Sequence, residues 1–175
     1  MTEPAIRGDE ATISVLVKVP IEEAFRIFTT EINAWWRGGL RYRVGKRRTV
    51  LHLEPKLGGR LFEAFETSSG ASKVVETGRV TTWLPPRQLV LDWRAVNFAT
   101  TEKTEVDVCF QPTQSGTLVT VRHRGWSRIR ADHPARHGQD TSAFLRGLGM
   151  WWADLMSSLR EHAERGEPPP NATPS

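Results

Sequence analysis

Residues 139–165, QDTSAFLRGLGMWWADLMSSLREHAER, decide the fold. At about 100° per residue, Phe144, Leu145, Leu148, Trp151, Trp152, Leu155, Leu159 and His162 fall in one stripe roughly 120° wide. Arg146, Ser157, Arg160, Glu161 and Glu164 lie outside it. A stripe broader than a two-residue seam predicts a long helix laid across an apolar layer, and Gly166 supplies its stop. The Pro-rich residues 166–175 read as a disordered tail.

The layer under that helix is written upstream. Residues of about 49–54, 60–67, 73–83, 88–94, 103–111 and 117–124 read as strands. They are separated by Pro55 to Gly59, Ser68 to Gly70, Pro85-Pro86 and Pro112 to Gly116, which carry the turn chemistry of tight connections. Alternation sets Leu89, Leu91 and Trp93 opposite Asp92 and Arg94, and Val106, Val108 and Phe110 opposite Glu105 and Asp107. Residues 60–67 leave both faces open, with Leu61 and Phe65 on one and Phe62 and Ala64 on the other. Before them, TISVLVKV (12–19) alternates as a half-buried strand. Pro20 then stands where a helix begins, with Ile21, Phe25 and Phe28 on one face and Glu22 and Glu23 in the dipole-favoured first turn. A second short helix over EINAWW stops before Gly38-Gly39. The prediction is an α+β domain spanning 11–165 after a flexible segment 1–10: a curved antiparallel sheet of about six to seven strands around a long C-terminal helix, with two short helices after the first strand.

Length and composition agree with one domain: 175 residues, 38% hydrophobic and 25% charged. The single cysteine, Cys109, excludes an internal disulfide and a multi-cysteine zinc site, and reads as a small buried hydrophobe. The opening residues are polar and acidic, and no run approaches the roughly 18 apolar residues of a membrane span, so a cytoplasmic location is expected. The net charge of +4 is concentrated in two stretches. Residues 37–48 hold Arg37, Arg41, Arg43, Lys46, Arg47 and Arg48, and residues 122–136 hold Arg122, Arg124, Arg128, Arg130 and Arg136 against Asp132 alone. Both read as solvated loops. No helix-turn-helix, zinc-finger or RNA-recognition signature accompanies them, so no nucleic-acid partner is expected. His133 and His137 form an H-x3-H pair near Asp132 and Asp140, but Pro134 and Gly138 break the helix such a pair needs, and no metal site is expected. Nucleophile-elbow, dinucleotide and Walker A patterns are missing from the sequence, and no cofactor is expected.

The order of elements, together with several local motifs, resembles the START-related, Bet v 1-like helix-grip superfamily, and within it the branch similar to the activator of Hsp90 ATPase. The residues that carry the resemblance are Pro20 to Phe25, Trp35-Trp36, Leu53 to Arg60, Gly78-Arg79-Val80, Trp83 to Val90, Trp93, and Gly116 to Val121 followed by Arg122-His123. The resemblance covers nearly the whole ordered chain. It implies the helix-grip fold firmly and function weakly, because folds of this kind host lipid carriers, aromatase- and cyclase-like enzymes and co-chaperone modules.

A curved sheet closed by one helix leaves a gap between its layers, where a ligand would sit. Seven tryptophans are present, and Trp93 should face the Trp151-Trp152 pair across that gap. The expected lining is Trp93, Val108, Phe110, His123, Phe144, Leu148, Trp151, Trp152 and Leu155. His123 shares a face with Val119 and Val121 and so points inward, either as a hydrogen-bonded structural residue or as an acid or base. Glu63 is the other candidate for proton transfer, its facing set by the undecided register of residues 60–67. Three functions follow. The first is a binding domain for a small hydrophobic ligand, aromatic ones included; the second is a cyclase- or aromatase-like enzyme using His123 or Glu63. The third is a stress-response or co-chaperone module docking a protein through loops 37–48 and 122–136. No feature specifies an oligomeric state.

Overall fold

The computed structural model describes residues 9–94 and 97–166. Strand β1 (Glu10–Val17) leads into helices α1 (Ile21–Thr30) and α2 (Ile32–Trp35). Six strands follow: β2 (Arg47–Leu53), β3 (Arg60–Glu66), β4 (Ser72–Leu84), β5 (Gln88–Trp93), β6 (Thr104–Thr113) and β7 (Gly116–Arg124). Two short 3₁₀ turns, Trp126–Arg128 and Pro134–Arg136, connect to helix α3 (Thr141–Arg165). All pairings are antiparallel, and the strand order is β1-β7-β6-β5-β4-β3-β2. This is the expected α+β helix-grip arrangement.

Curvature has a local cause. The pairs β1–β7, β7–β6 and β6–β5 run in unbroken register. The pairs β4–β5, β3–β4 and β2–β3 each contain a register shift, between Val80 and Thr82, Leu61 and Phe62, and Arg47 and Val50. An extra residue on one strand bends it, so three neighbouring bulges curl this half of the sheet. β1 starts and ends two residues earlier than the alternation suggests. Its partner β7 begins at Gly116 and pairs no further than Thr117 with Val17, while Val19 turns its carbonyl to the Thr117 hydroxyl at 2.8 Å. Of the expected flexible N-terminal segment, Glu10 opens β1 and Asp9 is buried, accepting from the Ser127 backbone N–H and hydroxyl. Residues 1–8 and the expected tail beyond Gly166 lie outside the described residues.

The concave face carries Val15, Val17, Leu61, Val80, Leu89, Leu91, Val106, Val108, Phe110, Val119 and Val121, all buried. α1 covers one end, setting Phe25 against Trp83 and Phe110 at ring distances of 5.1 Å each. α3 crosses the face and buries Trp152, Leu155, Met156, Leu159 and Ala163. Asp140 caps it, accepting from the Ala143 N–H at 2.8 Å, and Gly166 at φ 52° ends it. A smaller second core of Trp126, Ile129 and Phe144, with Phe98 and Leu145 packed on it, sits beyond the helix N-terminus.

Two glycines test this geometry with opposite signs. A Cβ on Gly59 would lie 2.2 Å from the Glu54 carbonyl oxygen, a contact that backbone alone must relieve. Gly147 lies inside α3 with nothing within 4 Å of a Cβ. In chemical denaturation, Gly59→Ala should cost about 2 kcal/mol, whereas Gly147→Ala should add about 0.5–1 kcal/mol.

Candidate functional site

A buried hydrogen-bond relay joins helix to sheet. His123 is 1% exposed on β7. Its Nδ1 accepts from the Trp152 indole N–H at 3.1 Å, and because that indole only donates, the imidazole proton stands on Nε2. Nε2–H then donates to the Thr104 hydroxyl at 2.7 Å, and the hydroxyl donates to the Trp93 carbonyl at 3.1 Å. Burial pushes the His123 pKa down to about 3. A neutral ring with both nitrogens occupied offers no lone pair to a substrate, so the geometry fits a structural histidine.

Around this relay four tryptophans meet in all six pairwise contacts. Trp36, which follows α2, lies 6.2 Å from Trp93 and 5.8 Å from both Trp151 and Trp152. Trp93 lies 6.3 Å from Trp151 and 5.8 Å from Trp152, which are 5.1 Å apart. Trp36 and Trp152 are buried, whereas Trp93 and Trp151 are half-buried. The structure thus brings together four of the residues named as lining, Trp93, His123, Trp151 and Trp152, and adds Trp36. The others go elsewhere. Phe110 packs on Phe25 and Phe28 under α1, Val108 and Leu155 are fully buried in the main core, Phe144 belongs to the second core, and Leu148 touches both.

Residues 37–46 fold over the open side of this cluster. Trp36 and Trp151 donate their indole N–H groups to the Tyr42 and Arg41 carbonyls at 3.0 and 2.8 Å. Tyr42 stacks on Trp151 at 5.9 Å and donates its hydroxyl to Asp154 Oδ2 at 2.9 Å. Burial, then that carboxylate, holds the phenol above its ordinary pKa. Arg37 Nε–H donates to the Asp154 carbonyl at 2.9 Å. Glu63 does face inward, but its two oxygens accept the backbone N–H groups of Val44 and Gly45 at 3.0 and 2.6 Å, so it clamps the loop to β3. Where the loop meets α3, Arg37, Gly38, Tyr42, Asp154 and Ser158 line an open cleft of about 610 Å³.

The reading of both basic stretches as solvated loops needs correction. Arg43 is buried, donating to Asn33 Oδ1 at 2.7 Å and to the carbonyls of Asn33, Trp36, Arg37 and Thr49. A guanidinium saturated by loop carbonyls organises a turn rather than facing water. Arg136 is likewise buried, and Arg124 is paired with Glu105 and Asp107 across β6. Arg41, Lys46, Arg47, Arg48, Arg122 and Arg130 remain exposed. The H-x3-H pair is split: His133 is buried and His137, at φ 53°, is exposed. Among the described residues no three His, Cys, Asp or Glu side chains gather as metal ligands. No described helix is long and apolar enough to cross a membrane. Sequence reasoning missed Thr104, Tyr42 and Asp154 and misread Arg43. Only Asp154 gave a signal, as an acid one turn beyond Trp151.

The relay makes a pH prediction. Below pH 6.5 the unfolded chain takes up a proton on His123 that the folded chain refuses until about pH 3, so folding stability falls as pH drops. Between that ordinary pKa of 6.5 and about pH 5 the loss from this group is about 1.5 kcal/mol. Urea titrations should show wild type losing that much more than His123→Gln over the same interval; parallel profiles would contradict the assignment.

Comparison with known proteins fits this geometry. The model of the family described as Activator of Hsp90 ATPase homolog 1-like protein matches residues 18–150. No curated protein matches the chain. Among solved structures, Mesorhizobium loti MLL2253 is similar at 16% identity and TM-score 0.61, over 91% of this chain and 99% of that one. Nitrosomonas europaea NE0264 is similar at 14% identity and TM-score 0.60, over 94% and 100%. The Aha1 dimer of Colwellia psychrerythraea is similar at 16% identity and TM-score 0.59, over 91% and 98%. At these identities the structures speak for the fold alone. The family match, spanning well over half of the sequence from the end of β1 into α3, settles membership: the chain belongs to the Activator of Hsp90 ATPase homolog 1-like family.

Proposed function

We propose that this chain is a binding domain for a small planar apolar molecule, taken up beside Trp151 and Tyr42 under the 37–46 loop. The observation that supports it is the four-tryptophan cluster with two half-buried members, opening next to the cleft of Arg37, Tyr42 and Asp154. Flat faces gain from offset or edge contacts beyond the area they bury, and apolar burial adds about 25 cal/mol per Å². The cleft supplies the polar side: Arg37 suits an anionic or carbonyl edge and Asp154 suits a donor, with the exposed Arg41 3.9 Å from Asp154. His123 and Glu63 play no chemical part, since their nitrogens and oxygens are committed to Trp152, Thr104, Val44 and Gly45.

The test is a titration with 8-anilino-1-naphthalenesulfonate, a probe with a flat naphthalene face and an anionic sulfonate, followed by quenching of tryptophan emission. Saturable binding is expected, weakened about tenfold in Trp151→Ala, which corresponds to about 1.4 kcal/mol of ring contact. Binding that does not saturate while the protein stays folded, or that Trp151→Ala leaves unchanged, would refute the proposal.

A further inference from the structure

Three side-chain nitrogens among the described residues are buried without a hydrogen-bond partner, and all belong to the segment before α3: Trp126 Nε1, His133 Nε2 and Arg136 Nε. All three are donors. His133 Nδ1 accepts the Ala135 backbone N–H at 3.0 Å, so the proton of that ring stands on Nε2, and indole and guanidinium nitrogens only donate. What they lack is therefore an acceptor. They also share one neighbourhood. Trp126 packs on Phe144 at 4.5 Å and on Phe98 at 5.8 Å, His133 lies 5.1 Å from Phe98, and the Arg136 guanidinium lies 5.9 Å from Phe144.

Charge points the same way. Arg136 is 4% exposed, and its remaining contacts go to the Ile129 and Gln139 carbonyls and the Thr141 hydroxyl, none of them anionic. Among the described residues it has no ion-pair partner. The acids nearby are engaged otherwise. Glu102 Oε1 accepts the Ala99 N–H at 2.8 Å and stops 3.5 Å from His133 Nε2; Asp132 faces Arg130, Asp140 caps α3, and Asp9 holds Ser127. A buried cation without a counter-charge is costly, and the N-terminus of the 25-residue α3 adds its own preference for negative charge.

We infer that the segment 125–140 is a binding site for a carboxylate group, which takes the free donors of Trp126, His133 and Arg136. One fixed positive charge matches a monoanion; a phosphate dianion would leave one charge unmatched in the same small core. In sequence the donors are flanked by the exposed residues 130–132 and 137–140. This site adjoins the tryptophan cluster through His123, whose ring lies 5.2 Å from Trp126, but it uses none of the cluster's own side chains and stands whether or not that cluster binds a planar ligand.

The experiment is a nuclear magnetic resonance titration of the ¹⁵N-labelled full chain, reading the indole N–H signals of its seven tryptophans. Trp126→Phe assigns the signal of interest. Acetate, which has no ring to engage the tryptophan cluster, is the probe, with phosphate and chloride at matched ionic strength as comparators. The Trp126 signal should move saturably with acetate, while the signals of Trp36 and Trp151, which do not touch His123 or Trp126, stay in place. Arg136→Met should weaken acetate at least about tenfold, and Arg136→Lys should retain most of the binding. If Arg136→Met loses the dispersed spectrum of a folded chain, His133→Phe replaces it, with weaker acetate binding expected. A Trp126 signal that stays still, or follows chloride equally, overturns the site, and tighter binding of phosphate overturns the carboxylate assignment.

Discussion

The helix lies where it does because one indole N–H, that of Trp152, must find an acceptor inside an apolar contact layer. An unmatched polar group there costs about 1–3 kcal/mol. His123 accepts at one nitrogen and passes the requirement on from the other, to Thr104 and then to the Trp93 carbonyl. The relay crosses α3, β7, β6 and β5 in three bonds. It fixes the rotation of α3 more tightly than the 120° stripe could, since apolar contacts alone tolerate a turn of several tens of degrees. The depressed basicity of His123 follows from the same burial. A charged imidazole would have to donate from both nitrogens, against an indole that cannot accept.

The open side of the fold is closed by a second polar solution, built from backbone groups. A loop of this length exposes many N–H and carbonyl groups, and burying them over a cluster of rings requires partners. Arg43 satisfies carbonyls from within the loop, and Glu63 satisfies two N–H groups from the sheet. The two charges favour each other: burial lowers the Arg43 pKa, and the Glu63 carboxylate works against that shift. Gly45 is part of the same device, because a Cβ there would lie 2.3 Å from the Phe65 ring. What looks in composition like a basic surface loop is thus an internal tie between α2, β3 and α3.

Much of this was legible in the sequence where periodicity governs. Two-residue alternation set the inner faces of β5, β6 and β7, and placed His123 among them, because those strands pair without a register shift. Alternation left residues 60–67 undecided because Leu61 and Phe65 stand on one face and Phe62 and Ala64 on the other. Glu63 shares the face of Leu61, as period two requires, but a carboxylate on a buried face is held there by the Val44 and Gly45 N–H groups, which no periodicity announces. The candidate site was half legible. Trp93, Trp151 and Trp152 were foreseen as facing partners, yet Phe110 and Phe144 go to other neighbours, α1 and Trp126. Arg43 and Arg136 were misread because loops carry no period. Whether an arginine in a loop faces water or carbonyls depends on contacts far along the chain.

The tryptophan cluster couples these two polar systems. A leucine or phenylalanine core would fill the same space without donors; tryptophans bring an N–H with every ring, and each must be met. Trp152 meets His123, while Trp36 and Trp151 meet the carbonyls of the adjacent residues Tyr42 and Arg41. Displacing Trp36 or Trp151 therefore breaks a bond to the loop, and lifting the loop leaves both indoles without acceptors. Because all six ring pairs are in contact, moving one ring also loosens its three neighbours. Space beside Trp151 cannot be made by a side-chain rotation alone. Movement of Trp151 is thus tied to residues 41 and 42, while the half-buried edges of Trp93 and Trp151 reach the surface with the loop in place.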